Sequence, residues 1–282
     1  MRETYEFRVV EDYAHRLFRP DEGKLLGSGM IRLIKLSGDD PRLPQVGELR
    51  RIIDRESGRT FFHGWNIERR YSKAEIEAAT LFRLQVTAVF EPAGEERGTK
   101  YDEASACSRC GAGAQQIGPL ILDLKRIPKG KDIAKTIAGE IVVSQRVVEL
   151  LERHRITGVA LNPVRMSAAS SAESRDWFQL TVQHVDAEIV APTRVGIDPF
   201  NDDASGECRC PLGDLIGLNL LSEVTIGATT RGQADFVGSR QFIGVRRGLL
   251  RPERVVFISP RVRALFEAEK LKGAEVEIAR LA

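Results

Sequence analysis

The sequence has no run of about 18 apolar residues, the length at which a stretch becomes a candidate membrane span, so no transmembrane helix is expected. Its opening stretch, MRETYEFRVVEDYAHRLFRP, is charged throughout. It has neither an apolar h-region nor a small-residue cleavage site, so no secretory signal is expected either. A cytoplasmic location follows as the default.

An excess of one charge is also missing. The 42 Lys and Arg against 40 Asp and Glu leave a net charge of +2. That is too little for the broad electrostatic footprint of a dedicated nucleic-acid binder. No Lys stands between Lys135 and Lys270, so the basic residues of that long stretch are all Arg. There are only 4 histidines, and His15, His63, His154 and His184 are isolated from one another with no HExxH pattern. Neither a glycine-rich phosphate loop nor a serine elbow is present, and Ser222-Glu223 has no evident base beside it. Asp198, Asp202, Asp203 and Glu207 crowd into GIDPFNDDASGE, but their spacing is not that of a calcium loop, and a solvated turn is the expectation.

Cysteine is nearly absent, and what there is carries the argument. All 4 cysteines fall in two close pairs, Cys107-x2-Cys110-Gly111 and Cys208-x-Cys210-Pro211-Leu212-Gly213. A chain of 282 residues buries a core without covalent staples, so disulfides are not required. In a reducing compartment such pairs are more often metal ligands or redox centres. A two-residue gap lets both sulfurs face one cation, and the following Gly lets the turn aim its N–H groups at them. Two pairs make the four-cysteine set of a closed structural zinc site. An iron–sulfur cluster uses the same tetrahedral sulfur and stays open as an alternative. A redox pair is the third, although CSRCGAGAQQIG does not read as the start of a helix after a strand. Asp214, His184 or Glu207 is the expected substitute if one sulfur does not bind.

Alternation places strands at YEFRVV, GMIRLIKL, RTFFHGWNIERRY and LFRLQVTAVFEP. Ser72 and Glu75 fit a capping box opening a helix near Lys73. GPLILDLKRIP reads as a strand, KGKDIAKTIAGE as a short helix or charged connector, and WFQLTVQHVDAEIV as a strand pair. MSAASSAESRD is the most linker-like segment.

One internal comparison goes further. IVVSQRVVELLERHRITGVALNPV from Ile141 and VFISPRVRALFEAEKLKGAEVEIA from Val256 align at an offset of 115. Ser144, Arg146, Val147, Leu150, Glu152 and Gly158 then meet Ser259, Arg261, Val262, Leu265, Glu267 and Gly273. Each copy reads as an apolar strand, a Ser cap, a helix with one apolar face, a terminating Gly and a second strand. Pro260 suits the first helical position. The fold expected is α+β: a duplicated strand–helix–strand module joined by a four-cysteine zinc-ribbon-like site. Residues 1–100 form an N-terminal α/β region, 101–165 the first cysteine pair with its module, and 177–282 the second.

The run of apolar strand, Ser-x-Arg, helix and TGVxLxPV resembles the immunity proteins of myxobacterial polymorphic toxins, families that include a double-CxxC type. The resemblance covers about 107–164 and returns at 256–279. It implies a non-enzymatic protein that neutralises a toxin by binding it, and it carries over no specific binding residue. A protein partner, with a toxin as the candidate, is therefore expected, with zinc bound by Cys107, Cys110, Cys208 and Cys210. A zinc-ribbon-like nucleic-acid binder acting through the arginines from Arg240 to Arg254 is the alternative, and a zinc or redox enzyme ranks last. No membrane partner is expected.

Overall fold

The computed structural model describes residues 1–166, 172–202, 209–215, 219–230 and 232–282. It is mixed α+β and separates into two compact units. None of its helices is long and apolar enough to cross a membrane, among the described residues.

The first unit is Met1–Ala78 together with Asp198–Asp202. It contains β1 (Arg2–Val10), α1 (Glu11–Ala14), β2 (Lys24–Leu26), β3 (Ile31–Ser37), α2 (Leu43–Ser57), β4 (Phe62–Arg70) and α3 (Lys73–Ala78). The strands form one antiparallel sheet in the order β2-β3-β1-β4. Alternation decides its faces: Tyr5, Phe7 and Val9 are buried while Glu6 pairs outward with Lys35. The capping box forms, with Ser72 N–H donating to Glu75 at 2.8 Å and Glu75 N–H to Ser72 Oγ at 3.3 Å. Helix α2 was not foreseen. Its Leu43, Val46, Leu49 and Ile53 recur at helical spacing, Val46 and Ile53 are buried, and Gly58 ends it in the left-handed region at φ 64°. Asp198, expected in a solvated turn, is buried and ion-paired with Arg50. Phe200 packs within 5.7 Å of the Phe7 ring. Gly47 makes room for it, since a Cβ there would lie 2.5 Å from the Phe200 ring.

The second unit is Ala79–Ile197 with Asp203–Ala282. It starts short of residue 100 because β5 (Phe82–Val86) is hydrogen-bonded deep inside its sheet structure. There follow β6 (Val89–Phe90), β7 (Lys100–Asp102), β8 (Gln115–Ile117), β9 (Ile133–Thr136), β10 (Ile141–Ser144), α4 (Gln145–Arg153), β11 (Val159–Arg165) and β12 (Glu173–Val182). The chain continues through β13 (Val195–Asp198), whose last residue belongs to the first unit, as does β14 (Asn201–Asp202), and then β15 (Asn219–Leu220), β16 (Thr225–Ile226), β17 (Phe236–Ile243), β18 (Glu253–Ile258), α5 (Pro260–Ala268), β19 (Ala274–Ile278) and β20 (Arg280–Leu281).

Three local expectations are corrected. KGKDIAKTIAGE contains strand β9, because Ile133, Ala134 and Thr136 are all buried between β10 and β6. GPLILDLKRIP is not a strand. Leu120 and Leu122 exchange backbone hydrogen bonds with Arg165, and Asp123 then caps a 3-10 turn over Leu124–Arg126. WFQLTVQHVDAEIV gives one strand, with Ala187 and Ile189 making only isolated bridges.

The two main sheets of this unit are β11-β12-β10-β9-β6 and β17-β18-β5-β19. In the first, β10 leads through Ser144 into α4 and returns as β11, with β12 antiparallel between them. In the second, β18 leads through Ser259 into α5 and returns as β19, with β5 between them. Val143 faces Phe178 in one sheet, and Ile258 faces Phe82 in the other. Leu161 faces Leu180, and Val276 faces Leu84. Phe178, Leu180 and Val182 lie 96 positions after Phe82, Leu84 and Val86, a correspondence the helix-centred alignment did not reach.

The hydrogen bonds around each helix also correspond. Ser144 N–H donates to the Asp132 carbonyl at 2.8 Å, and Ser259 N–H to the Asp235 carbonyl at 2.9 Å. The Asp132 carboxylate accepts from Lys272 N–H at 2.9 Å, and that of Asp235 from Thr157 N–H at 3.1 Å. Arg155 and Lys270 both take positive φ, 49° and 53°. The caps differ in one respect. Ser259 Oγ accepts from Val262 N–H at 3.3 Å, whereas Ser144 Oγ is buried without a partner.

Candidate metal centre

The first knuckle follows directly from Cys107-x2-Cys110-Gly111-Ala112. Gly111 N–H donates to the Cys107 carbonyl at 2.7 Å, and Cys107 N–H to the Ala112 carbonyl at 2.7 Å. This tight loop needs Gly111 at φ 76° and Gly113 at φ 90°. It turns the Ala112 N–H onto Cys110 Sγ at 3.5 Å. The second knuckle repeats the device on different residues. Cys210 N–H donates to the Asp214 carbonyl at 3.0 Å, Gly213 N–H to the Cys210 carbonyl at 2.9 Å, and Leu212 N–H reaches Cys210 Sγ at 3.3 Å.

The sulfurs of Cys107, Cys110 and Cys210 all lie within 4.8 Å of one another. Cys110 and Cys210 are buried, and Cys107 is partly exposed. Phe242 and Val245 pack against the group. Among the described residues no other group of three or more His, Cys, Asp and Glu side chains comes together closely enough to share an ion. Cys208 and Glu207 lie outside the described residues. His184 does not join the sulfurs; its carbonyl accepts from Gly238 N–H at 2.7 Å. Asp214 takes a supporting place. Its carboxylate accepts the Cys210 thiol at 3.4 Å and Phe242 N–H at 2.8 Å, which orients Cys210 and ties the knuckle to β17.

The electrostatics distinguish the thiols. N–H groups of Cys110 and Arg109 aimed at Cys107 hold its pKa below the ordinary thiol value. Burial, reinforced by the neighbouring thiols, pushes Cys110 up to about 12. A tetrahedral zinc with Zn–S bonds of ~2.3 Å places its sulfurs about 3.8 Å apart, a spacing compatible with three sulfurs that all lie within 4.8 Å of one another. Three soft donors in an apolar, N–H-lined cup can hold a metal ion.

Four of the five arginines from Arg240 to Arg254 are engaged internally. Arg240 pairs with Glu188, and Arg246 with Glu103. Arg251 reaches Glu95 at 2.8 Å and Glu103 at 2.9 Å and stacks on Tyr101. Arg254 lies over Phe242. Arg246 N–H also donates to the Cys110 carbonyl at 2.8 Å, a backbone link to the first knuckle that the sequence did not signal.

A scan of protein-family models and a search of curated proteins found no match to this chain.

Proposed function

We propose that this chain is a zinc-stabilised, non-enzymatic protein-binding module that works as an immunity protein, neutralising a toxin by binding it. The observation that carries the metal part is the convergence of Cys107, Cys110 and Cys210 sulfurs from two knuckles 100 positions apart. Cys208 is the proposed fourth ligand, one residue from Arg209 on the second knuckle. Zinc supplies no reaction step in this reading. It closes a loop between distant segments, and its binding free energy, of order ~10 kcal/mol at structural sites, acts as folding free energy. The zinc-ribbon-like description rests on the two knuckles sharing one ion.

The duplicated module is supported by the paired registers and hydrogen bonds. Each half places a strand before its cysteine knuckle and a strand–helix–strand unit after it. The first strand of each half, β5 or β12, completes the sheet of the other half. A chance strand–cap–helix–strand has no need of an aspartate bonded to the same distant N–H, nor of a positive φ at the same helix-end position. On this reading the two halves are interlocked by strand exchange, and the metal links their equivalent loops.

Binding of a protein is favoured over nucleic acid because Arg240, Arg246 and Arg251 are neutralised by carboxylates within the fold. The toxin assignment rests on the sequence resemblance around Ser144. It is tested by co-expression with the protein encoded beside it. Rescue of growth together with a co-purifying complex is the expected result. Toxicity that persists with abundant folded protein present overturns it.

A further inference from the structure

We propose that the amide-lined cleft beside the cysteines receives an extended, carboxylate-bearing segment of a partner protein, with the carboxylate seated on Arg254. This deepens the protein-binding reading and rests on it.

The cleft has a volume of about 720 Å³ and is lined by Gln116, Asn162, Gln179, Thr181, Phe242 and Arg254, among others. That is the scale of sites that enclose ligand-sized groups. Its floor is polar but uncharged. Gln116 Nε2 donates to Gln179 Oε1 at 3.0 Å, and Gln179 Nε2 donates back to Gln116 Oε1 at 2.7 Å. Gln116 Nε2 also reaches the Gly118 carbonyl at 2.9 Å. The two amides are held in place by each other, yet each oxygen keeps a lone pair, and Gln179 keeps a second N–H. A surface that both donates and accepts without net charge matches a peptide backbone.

Arg254 supplies the sign. It is half-buried, lies 4.0 Å from the centre of the Phe242 ring, and donates from Nη1 to the carbonyls of Ser239, at 2.6 Å, and Arg240. Among the described residues no carboxylate lies within ion-pair distance of it. Burial lowers its pKa although Asp214 and Asp186 stand near enough to oppose the shift. A partly desolvated cation without a carboxylate partner gains most from an incoming carboxylate, through a charge-assisted hydrogen bond.

The other sheet provides an internal contrast. The register position held here by Gln179 opposite Asn162 is held there by Arg83 opposite Glu277, joined at 2.9 Å. That site is closed by its own ion pair. The cleft at Gln179 is left with neutral amides and an uncompensated arginine. Its one lining acid, Glu173, together with a single lining cation, disfavours a phosphodiester chain, which needs several cations. The cleft walls also connect to the cysteines. Ala114 follows the first knuckle, and Phe242 N–H is bonded to the Asp214 that orients Cys210.

The test is an NMR titration of the isotope-labelled, metal-loaded full chain. The probes are the capped peptide acetyl-Ala-Ala-Glu-Ala-Ala-amide, its Lys counterpart, sodium acetate and oligothymidylate. Saturable shifts confined to Gln116, Gln179, Thr181 and Arg254, with the Glu peptide at least about tenfold tighter than the Lys peptide, are expected. Arg254→Gln should abolish that preference. Thr181→Trp, which fills the cleft from an exposed position, should abolish binding with metal content unchanged. Equal binding of both peptides, acetate shifts that saturate as readily as the peptide's, oligothymidylate in place of peptide, or no saturable shift each overturns the proposal. Toxin neutralisation that survives Thr181→Trp removes the cleft while leaving the broader reading in place.

Discussion

Cys110 and Cys210 stand 100 positions apart, and each sulfur accepts a backbone N–H from the residue two places on, Ala112 at 3.5 Å and Leu212 at 3.3 Å. Each cysteine thus sits in a turn whose N–H group supports a charged sulfur. The thiols should nonetheless behave differently when the metal is stripped. Cys107 has its pKa held down by N–H groups, so its thiolate forms at lower pH than that of an ordinary thiol. Cys110, pushed up to about 12, gains thiolate only as pH climbs well past the ordinary thiol range. Alkylation followed by peptide mass mapping should find Cys107 modified first, with its rate levelling while that of Cys110 still rises with pH. Equal rates at the two positions contradict this ordering.

Gly158 and Gly273 should be irreplaceable. Their φ values are 92° and 106°, and a Cβ would lie 2.2 Å from the Phe236 carbonyl oxygen or 1.9 Å from that of Ile133. Both obstacles are backbone within a sheet and cannot swing aside. Gly158→Ala and Gly273→Ala should each cost about 3 kcal/mol in urea unfolding. A loss under about 1 kcal/mol at either position would show that the strand can shift.

Asp132 and Asp235 each hold a backbone N–H at the start of the strand following a helix. Asp235 accepts from Ser259 Oγ at 2.7 Å as well. Replacing either by Ala leaves a donor without its partner and should cost about 1–3 kcal/mol. The two sites share no side chain, so the double variant should be additive within about 0.5 kcal/mol. Strong non-additivity in chemical denaturation would mean that the two sheets respond as one element.

The local elements were legible where chemistry is local. Ser72 and Glu75 announced a capping box, and Ser259-Pro260 announced a helix start. The candidate site was legible because cysteine is rare enough for two pairs to stand out. Pairing partners were not legible. FRLQV and FQLTV each declare a strand by alternation, but nothing in either says which sheet it will complete. Helix α2 was hidden because Pro44 sits inside a turn-rich run, where a first-turn proline resembles a break. Ile133–Thr136 was obscured by its lysines, of which Lys135 pairs with Glu253 while Ile133 and Ala134 are buried. The cleft at Arg254 depends on no carboxylate lying within ion-pair distance among the described residues, which only three-dimensional neighbours reveal.

The most direct measurement is elemental analysis of protein purified without added metal, paired with thermal melts of the Cys110→Ser and Cys210→Ser variants. The account predicts one zinc per chain, and a fall in both melting temperature and soluble yield when either cysteine is replaced, because lost metal binding is lost folding free energy. A protein that contains neither zinc nor iron, and whose melting temperature is unchanged by both substitutions, would contradict the shared metal site.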